Sequence, residues 1–332
     1  MTPTEDVQDL AAMSELSFLW LEITSKCNLS CSHCYADSGP QGELYGNMAY
    51  DDWTRVIDEA AELGCRSVQF IGGEPTIHPR LDDLVDHANH RGFEFIEVFT
   101  NATRLGKELL GCFQRNKVHV ATSFYSDDPV VHKQITHGEG SWQRTVSGIQ
   151  AVLAAGLPIR VGVIETDANV GHGPRAIEFI KSLGVQNFGT DRERGIGRGK
   201  LVRLSGEEER YDELCGQCWK GRLCVTSSGE VFPCVFSRAT RLGDAKSGLT
   251  GILQSVMLTR FREKVRAMNE RGGTMSTTTN CNPEHCNPSH CSPGNPGCNP
   301  AACSPVQCNP TTCSPLQCSP TTCSPLQCSP TR

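Results

Sequence analysis

The sequence has no uninterrupted apolar run near the ~18 residues that a membrane-spanning helix needs. Its first sixteen residues, MTPTEDVQDLAAMSEL, carry early acids and no apolar core, so neither a signal peptide nor a membrane anchor is expected. It also lacks a basic stripe. Its 31 Lys and Arg are interspersed with 37 Asp and Glu, for a net charge of −6. No nucleic-acid partner and no membrane surface are therefore expected. A soluble, cytoplasmic protein is the expectation, and 332 residues suffice for a large buried core.

Cysteine, by contrast, is abundant. Nineteen in a long chain without an export signal point to metal ligation or catalysis rather than to a disulfide scaffold. Nine lie in residues 1–280 and ten in the last 52.

Apolar, β-branched stretches read as strands at 18–24, 67–72, 93–101, 117–125, 158–166 and 185–190. Stretches of helical spacing separate them at 51–64, 80–92, 141–156 and 173–184, each ending in Gly. Such alternation predicts an α/β protein with a parallel sheet and crossover helices, as an open sheet or a barrel. Ligand sites in these folds gather just beyond the C-terminal ends of the strands. The chemistry-bearing residues do fall there: Cys27, Cys31 and Cys34 after the first strand, Gly72-Gly73-Glu74-Pro75 after the second, and Thr100-Asn101 after the third. Ser123 closes the fourth strand and Glu165 the fifth.

Three thiolates in a C-x3-C-x2-C loop can hold three corners of a 4Fe–4S cluster and leave one iron open. A zinc site is the competing reading, but zinc wants a fourth ligand, and His33 sits awkwardly between the cysteines. A second group, Cys215, Cys218, Cys224 and Cys234, combines a C-x2-C clip with a hairpin at 227–234 that delivers a further thiolate. A zinc ribbon is the alternative there. Cys65 and Cys112, at the ends of helical stretches, read as buried inert thiols. A last helix is predicted over 255–273.

ITSKCNLSCSHCYA (23–36) with GGEPT (72–76) resembles the paired signature of the radical S-adenosylmethionine (SAM) superfamily, and the likeness spans about 17–192. LCVTSSGEVFPCVF (223–236), with Cys218-x10-Gly229-x4-Cys234, resembles the auxiliary-cluster domain called SPASM, or its shortened form, twitch. The C-x2-C-x5-C-x3-C continuation of a full SPASM domain is missing, so the resemblance is to the shortened form with one auxiliary cluster.

The resemblance implies a partial (β/α)6 TIM-type barrel over 17–192 after an extension at 1–16, a small auxiliary-cluster domain at 193–272, and a tail at 273–332. It implies a SAM-chelating 4Fe–4S cluster on Cys27, Cys31 and Cys34, with reductive cleavage of SAM and hydrogen abstraction from a substrate. His33, Gly72, Gly73, Glu74, Pro75, Thr100, Asn101, Ser123 and Glu165 match positions near SAM. For Thr100, Asn101, Ser123 and Glu165, strand-end capping explains the residue nearly as well. Gly72 and Gly73 would let the backbone approach the methionine moiety, and the Glu74 carboxylate would take its ammonium. Arg198 reads as a surface arginine, or as a partner for a carboxylate of SAM or substrate.

Cys215, Cys218 and Cys234 are the implied auxiliary ligands, with Cys224 or a tail cysteine as the fourth. Cys224 is also the one body cysteine suited to donate hydrogen. A reducing partner such as flavodoxin or ferredoxin is implied. The substrate would be a peptide or small molecule, in ribosomal-peptide or other natural-product maturation. An epimerase or dehydrogenase of an antibiotic sugar, and a non-catalytic iron–sulfur or metal-binding protein, are the alternatives.

From Cys281 the sequence is a C-(N/S)-P-x-x repeat holding eleven prolines and two charges, Glu284 and Arg332. Proline at that frequency forbids helix and removes sheet donors, so an extended, disordered tail is expected. It reads as an inert appendage, as a thiol-rich metal binder helped by His285 and His290, or as a fused substrate.

Overall fold

The computed structural model describes residues 15–199 and 211–270. Residues 1–14 of the expected extension and the repeat tail lie outside the described residues, as does Arg271-Gly272-Gly273 at the end of the last predicted helix.

Among the described residues nine strands form one sheet in the order β6-β5-β4-β3-β2-β1-β7-β8-β9. The six expected strands are present as β1 (Phe18–Glu22), β2 (Ser67–Ile71), β3 (Phe95–Phe99), β4 (His119–Phe124), β5 (Ile159–Glu165) and β6 (Asn187–Arg192), each pairing in parallel with the next. The sheet stays open, as a partial barrel requires. Beyond β1 it continues with β7 (Arg222–Thr226), parallel to β1, and then with antiparallel β8 (Glu230–Phe232) and β9 (Gly243–Asp244). The second cysteine group is thus built directly onto the first strand of the barrel.

The crossovers are α1 (Tyr50–Glu62), α2 (Leu81–His90), α3 (Lys107–Arg115), α4 (Pro129–Thr136), α5 (Ser141–Ala154) and α6 (Gly173–Ser182); α7 (Leu249–Leu253) and α8 (Val256–Glu270) follow β9. In α1 the Asp52 carboxylate accepts the Ala49 amide at 3.0 Å, which caps the helix and places negative charge at its positive end. Among the described residues no helix is long and apolar enough to cross a membrane.

Strand alternation sends one set of side chains, including Leu19, Leu21, Val68, Phe70, Val98 and Val161, into a core shared with Trp53, Ile57, Leu84, Phe113 and Ile149 of the helices. Each such buried side chain contributes about 1.5–3 kcal/mol. The opposite face is polar as well as buried. On it Arg160 donates from Nε and Nη2 to the two Glu97 carboxylate oxygens at 2.9 Å each, and Gln69 donates to the same carboxylate. This fork lies across β2, β3 and β5, below the strand ends that carry the candidate site.

Candidate functional site

The cysteine loop leaves β1 and is held on several sides by backbone. Cys27 N donates to Gly39 O at 2.9 Å, and Gly73 N and Glu74 N donate to Thr24 O and Lys26 O at 2.7 and 2.9 Å. Ser30 N and Ser32 N donate to Thr136 O and Ile135 O, the last carbonyls of α4, at 3.2 and 2.9 Å. These carbonyls have no partner within their own helix, so the loop satisfies them.

The GGEP glycines also serve packing against the cysteine loop. A Cβ on Gly72 would stand 2.4 Å from Thr24 O, and one on Gly73 would stand 2.2 Å from Lys26 O. Gly72 also has φ +147, which disfavours any other residue. The two glycines let β2 press against the cysteine loop.

Glu74 is fully buried and already committed. Its Oε1 accepts Thr76 N, Thr76 Oγ1 and Thr100 Oγ1 at 3.0, 2.7 and 2.6 Å, and its Oε2 accepts Asn101 N at 2.7 Å. Burial raises its carboxyl above the usual range, and these four donors oppose the shift. The carboxylate pins the end of β3 to the GGEP turn, and its role toward an ammonium rests on the remaining lone pair of Oε2. Pro75 opens the short turn Pro75–Ile77 that Glu74 caps.

Asn101 extends the same framework. Its amide donates to Asn28 Oδ1 at 2.9 Å and reaches Cys27 Sγ at 3.9 Å, while Asn28 donates to Thr103 Oγ1 at 2.8 Å. Leu29 N and Ser38 N also point at sulfur, to Cys27 and Cys34 at 3.4 Å each. Amide donors on thiolates stabilise their charge, and around a cluster they tune its potential.

Burial and the neighbouring thiols push Cys27 up to about 11 and Cys31 up to about 12. Three anions so placed ionise together only around a cationic core. Among the described residues no three His, Cys, Asp or Glu side chains close around a single ion. A donor set of three thiols on one loop fits an iron–sulfur cluster, whose ordinary ligands are thiolates.

His33 lies between the cysteines with its ring against Tyr125, centroids 5.0 Å apart. Its buried Nδ1 has no hydrogen-bond partner, and burial lowers its pKa to about 4, so the ring is neutral. Tyr125 packs in turn on His132, 5.2 Å away and also lowered by burial to about 4. Ser123 faces Gly162 across β4 and β5 and hydrogen-bonds to Tyr125. Glu165 is exposed at the end of β5, its carboxylate beside Gly173 at the start of α6.

The second group is denser. The Cys218 sulfur lies 3.8 Å from that of Cys215 and 3.1 Å from that of Cys234, and all three residues are buried. Hydrogen bonds with its two neighbours, then burial, hold the Cys218 thiol well above its ordinary value. Cys224 lies near enough to Cys234 for their charges to interact. It is buried on the polar face of β7, where Arg238 is its hydrogen-bond partner and Glu22 adds negative charge. Arg238 pairs with Glu22 and lies 5.6 Å from the Tyr35 ring centre, tying the segment after β8 to β1 and to the cysteine loop. Cys65 and Cys112 are buried away from both groups, with sulfur contacts to Ser67 O and Asp82 O.

Sequence reasoning missed Asn28, Tyr35, Glu22 and Arg238. The polar pair of Asn28 and Asn101, each beside a motif residue, was the available signal; nothing local marks Glu22 or Arg238.

Comparison with known proteins agrees with this geometry. The radical SAM superfamily domain matches residues 21–172, and the SPASM iron–sulfur cluster-binding domain matches 215–287, which takes in Cys281 and Cys286 of the tail. The chain is 26% identical over 254 residues to the antilisterial bacteriocin subtilosin biosynthesis protein AlbA of Bacillus subtilis, covering 67% of this chain and 56% of AlbA. It is 28% identical over 254 residues to the PqqA peptide cyclase of Streptomyces rochei, covering 64% and 68%. The chain thus spans little more than half the length of AlbA. In fold it is similar to Streptococcus suis SuiB (TM-score 0.60, 14% identity, 80% and 72% covered) and to anSMEcpe with bound AdoMet (0.59, 16%, 74% and 82%). The chain carries a radical SAM superfamily domain over residues 21–172 and a SPASM iron–sulfur cluster-binding domain over residues 215–287.

Proposed function

We propose that this chain is a peptide-modifying radical SAM enzyme whose first cysteine loop binds the SAM-chelating 4Fe–4S cluster and whose second group binds an auxiliary cluster. When bound, the first cluster supplies the electron that splits SAM into methionine and a 5′-deoxyadenosyl radical, which takes a hydrogen atom from the substrate. The observation that carries the reading is the loop: three thiols lie on it, backbone amides aim at two of their sulfurs, the GGEP turn after β2 and the end of α4 fix its backbone, and Asn101 after β3 holds its Asn28.

The protein's own part is positioning. Glu74 and Thr100 lock two strand ends together, Asn101 and Asn28 hold the loop to β3, and neutral His33 presents an unpartnered ring nitrogen beside the cysteines. Ser123, opposite Gly162 on the next strand, and Asn101 are candidates for contacts to SAM. Glu165 lies at the rim. Cys215, Cys218 and Cys234 ligate the auxiliary cluster. Cys224, hydrogen-bonded to Arg238 and near Cys234, is the candidate for the thiol hydrogen donor or the fourth ligand.

The peptide reading rests on the relatives' names: AlbA in bacteriocin biosynthesis, PqqA peptide cyclase, and SuiB, solved with its precursor peptide SuiA. A flavodoxin or ferredoxin would supply the electron. The test is anaerobic reconstitution with iron and sulfide, followed by SAM and dithionite. The expected products are 5′-deoxyadenosine and methionine. An intact cluster that yields neither would leave a non-catalytic iron–sulfur protein.

A further inference from the structure

The turn at 197–199 grips the cysteine loop from outside the barrel strands. Gly197, at φ +62, lies so close that a Cβ there would stand 2.3 Å from Cys34 O and 2.4 Å from Tyr35 O. The next residue, Arg198, donates its backbone N–H to Cys34 O at 2.9 Å. Its guanidinium then forks three ways: Nε to Cys31 O at 2.9 Å, Nη2 to Ser38 O at 2.6 Å, and Nη1 to the exposed Asp37 carboxylate at 2.9 Å. Every hydrogen-bonding edge is directed at the loop, and two of the anchored carbonyls belong to cysteines. One N–H on each of its three nitrogens is thus committed to the loop, which fixes the orientation of the fork.

We infer that Arg198 is a positioning residue for the cluster of the first loop, fixing the backbone of Cys31 and Cys34 and holding a permanent positive charge beside their thiolates. The inference rests on the assignment of that cluster in the preceding section. Arginine suits both tasks, because its rigid planar fork binds several acceptors at once and it stays charged at any working pH. Lysine would keep the charge and lose the fork. A fixed cation beside an iron–sulfur cluster favours the reduced state, since reduction adds negative charge to a ligand set that is already anionic.

The test uses the full-length reconstituted chain, with Arg198→Gln and Arg198→Lys variants. The readouts are the midpoint potential of each cluster by EPR-monitored titration and the rate of iron loss to a chelator. Arg198→Gln should move the midpoint of the SAM-responsive signal to more negative values. It should also speed loss of that iron roughly tenfold or more, the usual effect of removing an outer-shell partner. Arg198→Lys should restore the potential but not the chelator resistance, and neither variant should move the auxiliary signal. If Arg198→Gln does not fold, Arg198→Lys decides alone: iron loss at the wild-type rate overturns the clamp. Wild-type potential and wild-type iron loss in Arg198→Gln overturn the inference outright. A Cys27→Ala, Cys31→Ala, Cys34→Ala variant separates the two levels. Should it keep every EPR component, the cluster assignment is wrong and the inference falls with it; should it lose the SAM-responsive one, only the role of Arg198 is at stake.

Discussion

The two cysteine groups are held in different ways. In the first, the thiols lie along a loop whose backbone is tied to β2, to α4 and to the turn at 197–199. Two of its sulfurs take amide hydrogen bonds from their own loop, and two of its cysteines are part-exposed. In the second, three buried sulfurs meet one another, the nearest pair at 3.1 Å. A site whose protein frame is complete can leave one metal position open to an outside ligand. A site whose thiols crowd together depends on the metal itself for order. The contrast matches the division of labour proposed, with SAM at the first group and a closed cluster at the second.

The largest change is expected from Cys27→Ala. Formation of 5′-deoxyadenosine should fall below detection by chromatography while the auxiliary iron remains. Cys218→Ala should do the reverse, removing about one cluster's worth of iron by assay and leaving the SAM-responsive EPR signal in place.

Chelation distinguishes the two groups without mutation. Removing iron should raise amide hydrogen exchange around 215–219 and 234–237 far more than around 23–39, where the backbone hydrogen bonds remain. Comparable loss of protection in both regions would contradict the contrast.

Acid tests the frame of the first group. The folded chain holds His132 at about 4, below its value of ~6.5 when unfolded. The unfolded chain therefore takes the proton first. Stability is full above about pH 6.5 and drops as pH falls toward 4, by on the order of 3 kcal/mol for this group. In the iron-free protein, His132→Phe should flatten that slope in denaturant titrations.

Glu74→Gln should cost about 1–3 kcal/mol, because an amide NH2 then faces donors that had an acceptor. Denaturant melts of the iron-free chain would measure it, and a neutral result would show that Glu74 does not pin β3 to the GGEP turn.

Much of this arrangement was legible in the sequence. The six parallel strands announced themselves as β-branched runs, and the candidate site residues lie at or just past their C-terminal ends. Two crossover helices went unread. Lys107–Arg115 is short, and Pro129–Thr136 carries Val130, Val131 and Ile135, which look like strand. The parallel pairing of Arg222–Thr226 with β1 could not be seen, since its partner is some 200 residues away and nothing local selects it. Glu97 and Arg160 looked like ordinary charged strand residues, yet they meet across β4 as a buried fork. Arg198 read as surface because two of its side-chain partners are carbonyls, which no side-chain pattern reveals, and the third, Asp37, lies 161 residues away. The cysteines, whose spacing is itself the chemical signal, were the easiest part to read.

The division between a SAM-binding cluster and a closed one is tested best by the EPR spectrum of the reduced, reconstituted chain recorded with and without SAM. One component should change on adding SAM, vanish in Cys27→Ala and persist in Cys218→Ala. A spectrum in which SAM alters no component, with both clusters present by iron assay, would contradict that division.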